Sequence, residues 1–169
     1  RIRGKLTDHY DPRNRVLRLS DSVYGESSVS AVSVACHEAG HALQHANNYV
    51  PLKVRNGIVP IVNFSSRFAW ILIFLGIITS AAGNYISDIA FNIGILMFVA
   101  VIVFHLITLP VEFNASSRAM EQMELVGIIS GNEKKPARKV LSAAAMTYVA
   151  SLTIAIAQLI RLLAIRDRD

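Results

Sequence analysis

The chain has a single cysteine, Cys36, in 169 residues. One cysteine forms no intrachain disulfide and cannot alone build a thiolate zinc site. Charge is scarce too. Asp, Glu, Lys and Arg make up 17% of the chain and apolar residues 53%, which is too little charge for an ordinary soluble domain. On a chain of one domain's length, that balance points first to membrane segments. Acids are outnumbered, leaving a net charge of +5. A basic balance can signal nucleic acid, but no aromatic-plus-basic binding motif is present. Instead the Lys and Arg residues gather beside apolar runs, as membrane-flanking charge does. The lipid bilayer is therefore the expected partner and nucleic acid is not. Repeats and low-complexity tracts are lacking. The chain opens on Arg1, with neither a Met nor a signal-like apolar stretch there.

Against this background stands His37-Glu38-Ala39-Gly40-His41, an H-E-x-x-H motif. Residues four apart on a helix share a face one turn apart, so both imidazoles can reach one zinc ion. Glu38 lies where its carboxylate can meet a water on that ion. Shuffling this composition yields only about 0.005 such motifs by chance. The competing reading is a helix whose histidines merely pack or face water. Helical context favours the metal: Val29, Val32, Cys36, Ala39 and Leu43 keep helical spacing. Ser27 or Ser28 is a suitable N-cap, and Asn47-Asn48 a stop, which predicts a helix over 28–47. Cys36 points about 100° away from His37 and reads as small core filler. Gly40 costs the helix roughly 1 kcal/mol against Ala, and a residue so small leaves room for a close neighbour.

Residues 1–20 read as a β-hairpin, with strand-like runs at 5–10 and 15–19 around the turn Asp11-Pro12-Arg13-Asn14. The uncharged run 68–83 is only 16 residues, about 24 Å of helix. A span needs about 20 residues, so the first membrane helix is drawn over 61–83. A polar turn at 84–88 leads to the uncharged run 89–109, the clearest span, with Pro110 marking a kink at its end. Residues 111–125 continue as an amphipathic helix bearing Glu112, Arg118, Glu121 and Glu124. A polar loop at 127–136 precedes an apolar helix over 140–165, read as a third span in preference to a buried core helix. The expected fold is one mostly α, membrane-embedded domain over 1–169. It has a small N-terminal hairpin, a zincin-like H-E-x-x-H helix and two or three transmembrane helices.

A catalytic zinc usually takes three protein ligands. His45 follows His41 by four residues but lies about 12 Å along the helix from His37, so it reads as a surface histidine. The metzincin pattern would need a glycine at Gln44 and a ligand at Asn47, and has neither. His105 is deep in an apolar run, and His9 on the hairpin is at most an outer or substrate contact. Glu112 is preferred. Two crossings return the chain to the side it left, which brings Glu112 back beside the motif helix at the membrane boundary.

Three segments in order carry a resemblance: 7–13 (Thr-Asp-His-Tyr-Asp-Pro-Arg), 37–44 (His-Glu-Ala-Gly-His-Ala-Leu-Gln) and 108–116 (Thr-Leu-Pro-Val-Glu-Phe-Asn-Ala-Ser). Together they resemble the bacterial YugP-type neutral zinc metallopeptidases, which are integral-membrane proteins. More distantly the layout is similar to the HtpX and CAAX-prenyl endopeptidases, where two spans and a helix with E-x-x-x-D follow the motif. The resemblance implies one Zn2+ on His37, His41 and Glu112, a gluzincin-type set, with peptide or membrane-protein substrates. Ser116 stands where the wider group has Asp, so Asn114 or Ser116 takes over that carboxylate's place beside a zinc histidine. The resemblance also casts the hairpin as the edge that pairs with an extended peptide. Glu38 is the expected general base, and Tyr148, Arg118, His9 and Tyr10 are the candidate oxyanion donors, with nothing to choose among them. The 84–88 turn has no Lys or Arg, whereas Lys53, Arg55, Arg67, Arg118, Lys134, Lys135, Arg138 and Lys139 lie on the motif's side. By the positive-inside rule the site faces the cytoplasm, from the bacterial inner (cell) membrane, with Arg161, Arg166 and Arg168 in disagreement if the last run spans. Oligomeric state is not legible. The rivals are a non-hydrolytic zinc-bound structural or partner-binding membrane protein and, on the thin grounds of Asn92 and Gln158, a small transporter.

Overall fold

The computed structural model describes residues 1–80 and 85–166. In order they form β1 (His9–Asp11), β2 (Val16–Arg18), α1 (Val29–Ala46), α2 (Val50–Ser80), α3 (Tyr85–Leu125) and α4 (Lys134–Arg166). Two compact units divide the chain, one of Arg1–Lys53 with Leu109–Tyr148, the other of Val54–Thr108 with Val149 onward.

In the first unit, β1 and β2 pair antiparallel with His9 opposite Arg18, Tyr10 opposite Leu17 and Asp11 opposite Val16. The strands are shorter than the 5–10 and 15–19 runs. The Asp11 carboxylate closes the turn, accepting from the Arg13 and Asn14 amides, the Asn14 side chain and Arg18. It holds the hairpin end together with charge-assisted hydrogen bonds. Asp8 pins the return strand by accepting from the backbone and hydroxyl of the buried Ser20.

α1 starts where the sequence places it. Ser28 is the N-cap, its hydroxyl accepting from Ala31 N at 3.2 Å. At the other end Asn48 takes a left-handed φ of 54°. The Asn48 and Tyr49 amides then bond back to the carbonyls of His45 and Gln44, satisfying two orphan acceptors. The same device ends α3: Gly127 (φ 69°) and Ile128 bond back to Glu124 and Met123. Glu133 then accepts from the backbone and hydroxyl of Ser130 as α4 begins. Pro136 sits in the first turn of α4, where its missing N–H has no helical partner to lose. The core of this unit is Ala119, Met120, Met123, Ile129, Ala137 and Leu141, against which Val29, Val32 and Cys36 of α1 pack. Cys36 is thus the half-buried filler its position implied.

The second unit is built from apolar helix. Its core is Ala69, Ile73, Phe91, Phe98, Ile102, Ala155 and Leu162. Small residues let α2 and α3 touch: a Cβ on Gly76 would lie 2.7 Å from the Phe91 side chain, and one on Gly94 2.9 Å from the Ala69 carbonyl. The outward faces carry Phe68, Phe74, Ile78, Leu96, Ile154 and Ile160, all exposed. So many exposed large apolar side chains suit lipid better than water. Three helices, α2, α3 and α4, are long and apolar enough to cross a membrane.

Four boundaries differ from the sequence reading, one being α4, which begins at Lys134 rather than at 140 and takes in the end of the expected 127–136 loop. α2 begins at Val50 rather than near Ile61 and carries Pro60 inside it. Tyr85 to Asp88 are helical, not a turn, and the 81–84 part of that reading lies outside the described residues. Pro110 does not divide 89–109 from 111–125, because α3 runs through it. Ending a helix in an apolar setting would expose several backbone groups at several kcal/mol each, more than the roughly 3 kcal/mol that an internal proline costs.

Candidate metal centre

Both helices of the first unit that carry polar residues inward meet at a glycine. A Cβ on Gly40 would stand 2.3 Å from the carbonyl oxygen of Ala115, closer than any side chain allows. Gly40 therefore lets α1 lie against α3, with His37, Glu38 and His41 on one side and Glu112 and Ser116 on the other. All five are buried, Glu112 most deeply at 2% exposure.

His37 Nε2 lies 3.2 Å from Glu112 Oε2, and His41 Nε2 lies 3.6 Å from the same oxygen. One ligand atom from each of the three residues falls within 4.8 Å of the others. Tetrahedral ligands at about 2.0–2.1 Å from one zinc stand roughly 3.3 Å apart, so the spacing fits. The hydrogen bonding fits as well. Ser116 donates its hydroxyl hydrogen to the Leu141 carbonyl at 3.2 Å, so its oxygen accepts from His37 Nδ1 at 3.1 Å. His37 Nε2 is then left with a lone pair facing a carboxylate. The two repel unless positive charge sits between them, a role for a proton or, better, a divalent cation. The same demand shows at His41. Burial disfavours its charged form, yet the hydrogen bond and charge of Glu112, the Gln44 oxygen and the Glu38 charge outweigh burial and hold it above the ordinary imidazole range.

Glu38 sits beside this group, and its Oε2 accepts the Tyr10 backbone N–H at 2.9 Å. Tyr10 also reaches α1 through its hydroxyl, 2.8 Å from His45 Nδ1. His45 is accordingly half-buried against Tyr10 rather than a free surface residue, and it is not in the metal-holding group. Asn114 accepts from Gln44 and Arg118, and the Arg118 guanidinium lies 5.9 Å from the centre of the Tyr49 ring. His9 is exposed, its ring bonded to the Thr7 carbonyl. Tyr148 is half-buried on α4, and His105 lies in the apolar stretch of α3 outside the group. Asn92 is engaged by Arg166. Sequence reasoning missed Gln44, which is wholly buried and 3.0 Å from His41 Nδ1. It stands three residues after His41 and seven after His37, on the motif's own face, which is the signal that could have found it.

No solved structure matches this chain. Over 160 residues it is 51% identical to a Bacillus subtilis (strain 168) protein described as "Putative membrane protease YugP", covering 95% of this chain and 68% of that protein. The family described as "Putative neutral zinc metallopeptidase" matches residues 1–167, and with these likenesses and a buried His-His-Glu group in hand, the chain belongs to that family.

Proposed function

We propose that the protein is a zinc-dependent membrane endopeptidase. The observation that carries this reading is the buried convergence of His37, His41 and Glu112 with Glu38 alongside. Among the described residues the group has three members. Three is the donor count of a catalytic zinc, whereas a structural zinc is closed by four, which weighs against the non-hydrolytic rival. When bound, zinc supplies a Lewis acid that makes water a stronger acid and polarises a carbonyl. The rest falls to the chain. Glu38 takes the proton of the attacking water and passes it to the leaving amine. The Tyr10 N–H holds Oε2 of Glu38, which leaves Oε1 to carry that proton. The β1 edge away from β2, apart from the Tyr10 N–H that Glu38 takes, is the proposed seat of an extended peptide. Tyr148, Arg118, His9 and Tyr10 stay the candidate oxyanion donors, with Arg118, His9 and the Tyr10 hydroxyl each bonded elsewhere in this state. The basic residues beside the motif support a cytoplasmic site in the cell membrane.

The test is metal content together with peptidase activity of wild type and Glu38→Gln. Zinc near one per chain is expected in both, with turnover reduced about 10²–10⁴-fold in the variant. Full activity in Glu38→Gln would remove Glu38 from its role, and a wild type that takes up no zinc would end the reading.

A further inference from the structure

The orientation of His41 is set from outside the ligand group, by a chain of hydrogen bonds that begins at a guanidinium. Arg118 has only donors, so the Asn114 atom 2.8 Å from its Nε is the amide oxygen. That oxygen lies 3.0 Å from the Gln44 side chain, whose facing atom must then be the amide nitrogen. The Val111 carbonyl, 2.7 Å from the same nitrogen, imposes the same orientation independently. With its nitrogen turned to α3, Gln44 turns its oxygen to His41 Nδ1 at 3.0 Å, so Nδ1 carries the hydrogen. In the neutral ring, His41 Nε2 is then the nitrogen left with the lone pair, on the Glu112 side. Flipping either amide would set oxygen against oxygen or donor against donor. Val111 and Asn114 flank Glu112 in sequence. The amide that orients His41 therefore also ties α1 to the turn that carries the third ligand.

We propose that Gln44, anchored by Asn114, Arg118 and the Val111 carbonyl, is the positioning residue of His41, holding it as the Nδ1–H tautomer with Nε2 ready for a metal. Wholly buried amides are costly unless fully bonded, and both of this side chain's polar atoms are engaged. A neutral amide thus fills the place that a carboxylate or carbonyl commonly takes behind a zinc-bound histidine. The inference rests on His41 being a zinc ligand.

Gln44→Met keeps length and volume but removes both partners. Zinc affinity of the detergent-solubilised full chain, measured by chelator competition, is expected to fall about 10–100-fold with helical circular dichroism unchanged. Asn114→Asp keeps the oxygen that Gln44 and Arg118 need and should hold affinity within about threefold, while Asn114→Leu should not. Nitrogen-15 spectra of histidine-labelled, metal-stripped protein at alkaline pH should show His41 protonated on Nδ1 in wild type and on both nitrogens in exchange in Gln44→Met. Wild-type zinc affinity in Gln44→Met, or His41 carrying its hydrogen on Nε2 in wild type, would overturn the proposal. If Gln44→Met fails to fold, equal affinities in the two Asn114 variants would do so. Should wild type bind no zinc, the metal reading fails, and the tautomer measurement still decides this one.

Discussion

Glu112, almost fully buried and facing two imidazole nitrogens, is the residue on which the proposed metal centre depends most. Replacing it with Gln keeps the shape and removes the charge. Zinc affinity should fall further than the roughly 10–100-fold expected for losing an outer partner such as Gln44, again by chelator competition. Asp11 makes a second prediction at this scale. Hydrogen bonds from the Asn14 side chain and amide, from Arg18 and from the Arg13 amide hold its carboxyl well below the ordinary carboxylate range. A carboxylate depressed in the folded state stabilises above its unfolded pKa, near 4, and loses that contribution as pH falls towards the folded value. Amide exchange in the β1–β2 hairpin should therefore be protected evenly from pH 7 down to about 4.5 and weaken below it. Asp11→Asn should flatten that dependence. His37 and His41 were legible because four-residue spacing alone puts them on one helix face, with Glu38 read from its place between them. Gln44 was not, because a glutamine announces nothing until the groups around its two ends are known.

At the scale of the element, Gly40 gives the sharpest prediction because two effects oppose. In an isolated helix, Gly40→Ala would help by about 1 kcal/mol. Here the added methyl meets the Ala115 carbonyl at 2.3 Å. Overpacking of that kind costs about 1–3 kcal/mol, and backbone cannot swing aside. The variant should be less stable to heat and bind zinc more weakly; a rise in stability would show that α1 and α3 do not touch there. Caps behave more simply: Ser28→Ala should cost α1 about 1 kcal/mol, read as a lowered melting temperature. The N-cap and stop of α1 were plain in the sequence. The start of α2 and the unbroken course of α3 were not: the 61–83 span was drawn from length alone, and a proline such as Pro110 is a reliable break only where water can take over the freed carbonyls.

For the whole molecule, a metal held at the proposed site would couple to stability. Zinc at 100 times its dissociation constant adds about 2.7 kcal/mol, so a chelator should lower the melting temperature and adding zinc should restore it. A Glu112→Gln protein should show neither change. Sidedness can be read from Gly131→Cys in a Cys36→Ser background, because position 131 is exposed with open space around it. A membrane-impermeant thiol reagent should label it only after cells are permeabilised, and labelling of intact cells would put the α3–α4 link outside. By itself the sequence determined the helical H-E-x-x-H face, the apolar lengths long enough for lipid and the hairpin turn, since each depends on neighbours a few residues apart. It offered six glutamates and a topological reason to prefer Glu112. Only the tertiary structure decided that Glu112 reaches the imidazoles across 75 positions, that Ser116 backs His37 across 79, and that Gln44 meets Val111 across 67. Those pairings are set by how closely two helices approach at Gly40, a distance that no local pattern encodes.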